Sequence, residues 1–285
     1  MGSYSDFSEA DLAALRRAKH ELETPPLGMK LAAIVGAPVE KLIAKLPAVA
    51  NDKVNDATQA ALRKCLQIAL KTLGKQGEGT LEIADARATA GSKQSAKPSN
   101  LLHKFAVATT GAAGGAFGLF ALPVELPVTT TLMFRSICDI ARSEGEDLAS
   151  ADTQLQCLTV FGMGGRSAAD DDADFGYFIV RGALAQAVSK ASSEMATKGF
   201  AAHGSTALLK LMQTVAARFS VQVSEQVAAK SIPAIGAVLG AMVNTVFIDH
   251  FQNVAHGHFT VRRLERRYGE SAVHAAYDGI DVALD

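Results

Sequence analysis

The sequence predicts an all-α protein, a multi-helix bundle built around two glycine-rich apolar central helices, with no β-sheet. Aromatic residues make up 6% of the 285 residues and Trp is absent, whereas sheets favour aromatic and β-branched residues. Alanine, the best helix former, is plentiful. Apolar residues recur at helical spacing, and alternating apolar and polar runs are lacking. With 48% hydrophobic residues, the chain has enough apolar side chains for a large core.

Charge and cysteine content narrow the class of protein further. A net charge of −1 is not that of a polybasic nucleic-acid-binding protein, so no nucleic-acid partner is expected. The cysteines Cys65, Cys138 and Cys157 are odd in number and widely spaced in apolar runs, which predicts buried reduced thiols. Residues 1–6 carry neither an export signal nor the Ser or Thr that myristoylation requires at position 6. We therefore expect a cytoplasmic location.

The N-terminal part of the chain divides into two helical units. Residues 1–26 should form one amphipathic helix, which begins at the capping residue Ser8 and ends at Pro25. Residues 27–73 follow as a helical layer, in which apolar residues recur at helical spacing. The helices predicted in this layer span 27–35, 38–46 and 47–73.

Residues 74–98 separate this layer from an apolar helical core, residues 99–285. The separating interval is rich in Gly, Lys, Ser, Gln and Thr, the composition of a flexible linker. Within the core, Pro123 and Pro127 should end or kink the first helix, and Asp152 can cap a later one. The helices predicted in the core span 99–122, the stretch from the prolines to 143, 152–161, 174–198, 205–231, 233–249, 251–268 and 270–283.

Two glycine-rich segments dominate the core. Residues 105–134 contain one charge, Glu125, and residues 231–248 contain none. Small residues recur every four positions, a spacing that lets the backbones of neighbouring helices approach closely. Asn244 continues the second row, where it either fixes the register between helices, which we favour, or lines a polar pocket with Glu125. The residues predicted to pack helices together are Gly111, Gly114, Gly115, Gly118, Gly236, Gly240 and Asn244.

The same segments raise the question of membrane insertion. A helix needs about 20 predominantly apolar residues to cross a bilayer, and residues 231–248 fall short of that length. Residues 105–124 are largely Ala, Gly and Thr, which contribute little transfer free energy. We therefore favour central helices surrounded by other helices over a membrane span. Reversible docking at the membrane interface is a third alternative.

Glu125 lies between two prolines in apolar sequence, where an unpaired carboxylate would be strongly destabilising. We expect it to pair with Arg181 or, as a second candidate, with Arg135, and we expect that pair to orient the glycine-rich segments. A catalytic role for Glu125 is the less favoured alternative.

The densest basic cluster lies near the end of the chain. It suits anionic lipid headgroups or an acidic partner. Cations before Gly269 also fit an ordinary helix C-terminus, which is the interpretation we favour. The cluster consists of Arg262, Arg263, Arg266 and Arg267.

Signatures of enzymes and metal sites are weak. There is no Gly-x-Ser-x-Gly elbow, and the acidic run 170–174 lacks the glycine and glutamate of a calcium loop. On a continuous helix His250 and His258 are two turns apart, without a third zinc ligand at suitable spacing. We therefore predict no catalytic residue, no metal site and no cofactor.

Several motifs in a fixed order resemble the EcsC family, which is named after a bacterial member encoded beside an ABC transporter. The similarity spans about residues 35–269, most of the chain. The family has Asp where this chain has Glu125 between two prolines. The motifs are Leu122-Pro123-Val124-Glu125-Leu126-Pro127 with Arg135, Ser143-Glu144-Gly145-Glu146-Asp147-Leu148, Tyr177-Phe178 with Arg181, residues 232–237 with Gly240 and Asn244, and Phe259, Arg262, Leu264 and Tyr268-Gly269.

The resemblance implies an all-helical, membrane-associated bacterial protein and supplies no mechanism. We expect a non-enzymatic helical protein that associates with a membrane surface or a membrane-bound complex, peripheral at the inner face of the membrane; an accessory role to a transporter is one form of this. The alternative is a protein that binds an apolar ligand or lipid, or a hydrolase, with an internal cavity bounded by the glycine-rich helices.

Overall fold

The computed structural model describes residues 7–23, 25–47, 49–76, 122–164, 176–198, 205–231 and 237–280. Across these ranges the protein is all-α, as predicted, with ten helices and no strand. The helices are α1 (Glu9–Glu23), α2 (Leu27–Val35), α3 (Val39–Ile43), α4 (Val49–Gln76), α5 (Leu122–Ser143), α6 (Ala151–Met163), α7 (Tyr177–Lys198), α8 (Thr206–Lys230), α9 (Ala237–Tyr268) and α10 (Glu270–Asp278).

Local sequence signals fix many of the helix ends. The Ser8 hydroxyl accepts a hydrogen bond from the backbone N–H of Asp11 at 3.1 Å, which is the predicted cap of α1. Ser205 caps α8 in the same way through the N–H of Leu208, at 3.2 Å. Gly36 ends α2 in the left-handed conformation, at φ 70°, where glycine is favoured. These ends agree with the predicted ones because each depends on a few neighbouring residues.

Several other boundaries differ from the predictions: α3 ends at Ile43 instead of residue 46, and α10 ends at Asp278 instead of residue 283. Pro127 lies inside α5, which accommodates it at the cost of one backbone hydrogen bond. The break predicted at His250 is absent, and α9 is one helix of 32 residues, since no Gly or Pro interrupts it there. Asp152 lies in the first turn of α6 while Ser150 occupies the N-cap position; a first-turn carboxylate also suits the helix dipole. Helix α4 continues to Gln76, into the predicted linker.

Helix α9 contacts most of the bundle, including α1, α2, α5, α6, α8 and α10. A group of phenylalanine rings packs around its middle, with ring centroids between 4.9 and 6.1 Å apart. Those rings are Phe161, Phe219, Phe247 and Phe251. A second, smaller apolar cluster joins α1 and α10 to the end of α9 through side chains such as Leu15, Leu264 and Tyr277.

Contacts along α9 define two ends of the bundle. Near its start, Asn244 bonds to Glu125 of α5 and to Gln226 of α8. Near its end, Arg262 and the arginines that follow meet α1 and the turn between α5 and α6. From Asn244 to Arg262 the helix rises by about 27 Å, at about 1.5 Å per residue. We call the end of the bundle at Asn244 the Glu125 end and the opposite end the arginine end.

Candidate functional site

A buried polar cluster occupies the Glu125 end. The Lys230 ammonium donates to Glu125 Oε1 at 2.6 Å, and the two side chains are only 9% and 11% exposed. The Asn244 amide nitrogen donates to the same oxygen at 3.1 Å, and its carbonyl oxygen accepts from the Gln226 amide at 2.6 Å. Three helices therefore meet in one hydrogen-bonded set, the Glu125 cluster (Glu125, Gln226, Lys230 and Asn244).

Glu125 is paired, but the predicted partners were wrong. Its salt bridge is to Lys230, whereas Arg181 pairs with Glu265 at 2.5 Å near the arginine end and Arg135 is exposed on α5. Sequence spacing does not reveal which helices become neighbours, so no local signal singled out Lys230. For Asn244 the structure shows both contacts that we considered, a bond to a neighbouring helix and a bond to Glu125.

The electrostatics of the Glu125 cluster are those of a buried ion pair. Burial, the larger influence, lowers the pKa of Lys230, although the adjacent Glu125 carboxylate acts in the opposite direction. The cost of removing two charges from water cancels much of their attraction. The pair therefore adds little net stability, but removing one partner alone would leave an uncompensated buried charge.

The Glu125 cluster lies where the chain adjoins the two glycine-rich segments. Helix α5 begins directly after residues 105–121, and α8 ends directly before residues 231–236. Val124 and Val128, one turn apart on α5, are 74% and 47% exposed. Gly240 is buried in the first turn of α9. The other predicted packing glycines, Gly111, Gly114, Gly115, Gly118 and Gly236, lie outside the described residues, as does most of the predicted linker.

At the arginine end, each of the four predicted arginines bonds to a carboxylate. Arg262 bonds to both oxygens of Glu146, at 2.8 and 3.1 Å, and Arg263 bonds to Glu144 at 2.7 Å and to Asp11 at 3.1 Å. Arg266 bonds to Glu146, and Arg267 lies 2.9 Å from Asp11. The arginine–carboxylate cluster consists of Asp11, Glu144, Glu146, Asp152, Arg262, Arg263, Arg266 and Arg267.

Four guanidinium groups thus face four carboxylates, and the cluster is close to neutral. The acids come from α1, from α6 and from the turn around Gly145, where a φ of 83° favours glycine. A hydrogen bond from Tyr268 makes the largest contribution to lowering the pKa of Asp11 to about 2, against the effect of burial. An anionic headgroup at this cluster would have to compete with carboxylates already in place.

An aromatic and histidine pair lies beside this cluster. The Tyr177 hydroxyl and His258 Nδ1 are 2.8 Å apart. Burial, together with the positive charges of Arg181 and Arg262, lowers the pKa of His258 well below its usual value, so the ring is neutral at pH 7. Arg181 bonds to both carboxylate oxygens of Glu265, at 2.6 and 2.5 Å. These contacts attach α7 to the second half of α9.

An open groove of about 660 Å³ runs between α7 and α10. Its walls combine the Phe178 ring with ionisable side chains, among them Arg181, Glu265, Glu270 and His274. Acyl chains favour pockets lined mainly by apolar side chains, so this groove lacks the chemistry of the apolar cavity considered as the alternative function.

The described histidines and cysteines form no metal site. No group of three His, Cys, Asp or Glu residues in these ranges is arranged to hold a metal ion. His250 bonds to the Gly164 carbonyl group, and burial lowers its pKa to about 4. The three cysteines are free thiols, of which Cys65 and Cys157 are buried.

Among the helices of the described residues, none combines the length and the apolar composition that a membrane span requires.

Comparison with known proteins shows a family relationship. The model of the EcsC protein family matches residues 9–264. No curated protein and no solved structure matches. The motifs that suggested this family form two spatial groups: Glu125 and Asn244 meet at one end of the bundle, and Glu146 and Arg262 meet at the other.

Proposed function

We propose that this chain, which belongs to the EcsC protein family, is a non-enzymatic helical protein that associates with a membrane or a membrane-bound complex. The proposal is supported chiefly by the apolar character of the Glu125 end of the bundle. Two apolar, glycine-rich stretches of sequence adjoin the bundle there, beside the exposed side chains of Val124 and Val128. Exposed apolar surface of this kind is typical of membrane or protein interaction sites.

The proposal places the Glu125 end against the membrane. The arginine end then begins about 27 Å away along α9, about three times the screening length of about 8 Å at physiological ionic strength. In this orientation the arginines stabilise the fold through their own carboxylates. Contacts between headgroups and Arg262, Arg263, Arg266 or Arg267 would require α9 to lie along the membrane surface.

Flotation with liposomes at low salt tests the proposal. The purified protein should float, and the double substitution Val124→Glu and Val128→Glu should reduce the floating fraction because it places charge on the apolar surface. Leu209→Glu is the matched control, since Leu209 is 50% exposed on α8, well away from Lys230. If the protein floats with neither liposomes nor native membranes, the proposal is wrong, and it is equally wrong if the double variant and the control lose flotation to the same extent.

Two further arms separate the remaining alternatives. Arg267→Gln changes the most exposed of the four arginines, with 61% of its side chain accessible, and should leave flotation unchanged. A loss with Arg267→Gln alone would show that the arginine end meets the membrane. Flotation with native membranes but not with protein-free liposomes would assign the partner to a membrane-bound complex.

A further inference from the structure

We propose that the Glu125–Lys230 pair binds a phosphoethanolamine lipid headgroup, with the phosphate on Lys230 and the primary ammonium on Glu125. The inference rests on the proposed membrane association and adds the class of lipid that the Glu125 end would select.

The pair has hydrogen-bonding capacity that the described residues do not use. A lysine ammonium carries three N–H donors, and one of them donates to Glu125 Oε1. The Asn244 amide donates to the same oxygen. Within the described ranges, Glu125 Oε2 therefore accepts no hydrogen bond. Both side chains are about nine-tenths buried, at 9% and 11% exposure. Spare donors and a spare acceptor therefore lie side by side in one largely buried pair.

The charges of the pair select a zwitterion. A phosphate alone beside Lys230 would also face the Glu125 carboxylate, and an amine alone beside Glu125 would face the Lys230 ammonium. A group that carries both charges a short distance apart satisfies both partners with charge-assisted hydrogen bonds, which are the stronger kind. Phosphocholine has the same charges, but its quaternary nitrogen has no N–H to donate to Glu125.

The position of the pair favours a membrane lipid over a soluble molecule. Val124, next to Glu125 in the chain, is 74% exposed and would contact the acyl region. A buried ion pair stabilises a fold less well than apolar residues of similar size often do. Recognition of a headgroup would explain why these two buried side chains are charged, which their contribution to stability does not explain.

Sedimentation with vesicles of defined composition tests the proposal. The wild-type protein should bind vesicles of equal parts phosphatidylethanolamine and phosphatidylcholine about tenfold more tightly than pure phosphatidylcholine vesicles, the effect of one charge-assisted hydrogen bond. Glu125→Gln should remove that preference, because the neutral amide cannot form a charge-assisted hydrogen bond with the ammonium. Lys210→Met changes an exposed lysine on α8, the helix that also carries Lys230. This variant should keep the preference.

A second variant and a soluble ligand distinguish headgroup recognition from effects on folding and on the bilayer. The double variant Glu125→Gln and Lys230→Met removes both charges, so no unpaired charge is buried, and it should bind both kinds of vesicle equally. A preference that persists in Glu125→Gln would arise from bilayer packing and would overturn the proposal. Tight binding of soluble glycerophosphoethanolamine without vesicles would also overturn it, by assigning the site to a soluble ligand.

The failure of the two proposals can be told apart. If the wild-type protein binds no vesicle or native membrane, the proposed membrane association itself is wrong. If it binds both vesicle types equally, membrane association stands and the headgroup assignment is wrong.

Discussion

Gly257 of α9 lies against Ala18 of α1. A Cβ atom added to the glycine would be 2.9 Å from the Ala18 carbonyl oxygen and 2.6 Å from Leu22 Cγ. Both distances are shorter than non-bonded contacts allow. This is the close helix approach that small residues permit, and Gly257 therefore sets how near α1 can lie to the centre of the bundle.

Gly257→Ala should therefore destabilise the protein, by about 1–3 kcal/mol, because α1 must shift to admit the methyl group. Gly182 is the matched control: it lies in α7, is exposed, and has nothing within 4 Å of its Cβ position. Gly182→Ala should stabilise the protein by about 0.5–1 kcal/mol through helix propensity. Urea denaturation followed by circular dichroism measures both. Effects of the same sign would contradict the packing argument.

Glu146→Gln should test the arginine–carboxylate cluster. The Glu146 side chain is 5% exposed and accepts hydrogen bonds from Arg262 and Arg266, so removing its charge should cost about 3 kcal/mol of unfolding free energy. Asp139→Asn is the control, because the pair of Asp139 with Arg142 is 31% and 65% exposed and should contribute at most about 0.5 kcal/mol. Equal effects in urea denaturation would show that the cluster does not stabilise the fold.

The helix ends with a capping serine or a terminal glycine could be predicted from the sequence because their causes are local. Ser8 and Ser205 cap helices through N–H groups three residues away, and Gly36 needs only its own backbone conformation. The break predicted at His250 is wrong because no Gly or Pro stands there to end the helix, and α9 continues through it.

The partners within the candidate sites could not be predicted in the same way. Glu125 and Lys230 are 105 positions apart, and Arg181 and Glu265 are 84 apart. The partner of each charged side chain depends on which helices become neighbours, and this arrangement does not follow from the charge and burial of single residues. The close approach at Gly257 was missed because it stands alone between two histidines, outside any repeat of small residues.

Cys65 and Cys157 should resist thiol reagents in the folded protein. Burial raises the pKa of both thiols, and the thiolate is the reactive form. In the variant Cys138→Ser, which removes the half-buried cysteine, Ellman's reagent at pH 8 should label almost nothing in native buffer and two thiols in urea. Rapid labelling of native Cys138→Ser would show that the core around these thiols opens readily.

Glu225 of α8 lies at the start of α2, and its Oε1 atom is 3.0 Å from the position that a Cβ on Gly28 would occupy. Burial is the main reason that the pKa of Glu225 rises from 4.5 to about 7, and the nearby charge of Glu40 adds to the rise. A hydrogen bond from the Gly28 backbone acts in the opposite direction and lowers the pKa. Burial also raises the pKa of Glu21 of α1 to about 7. Both carboxyl groups therefore hold their protons more strongly in the folded protein than in the unfolded chain.

A raised carboxyl pKa stabilises the fold at acid pH and loses that effect as the pH rises. Between about pH 4.5 and pH 7 the folded protein retains protons that the unfolded chain has released, so the free energy of unfolding should fall across this window. Glu225→Gln should reduce the fall and be more stable than the wild type at pH 8, by about 1–2 kcal/mol after allowance for partial exposure. Glu270→Gln, at an exposed position on α10, should leave the slope unchanged. Urea denaturation at pH 5, 6, 7 and 8 measures these slopes, and a wild-type slope in Glu225→Gln would show that this carboxyl group does not titrate with folding.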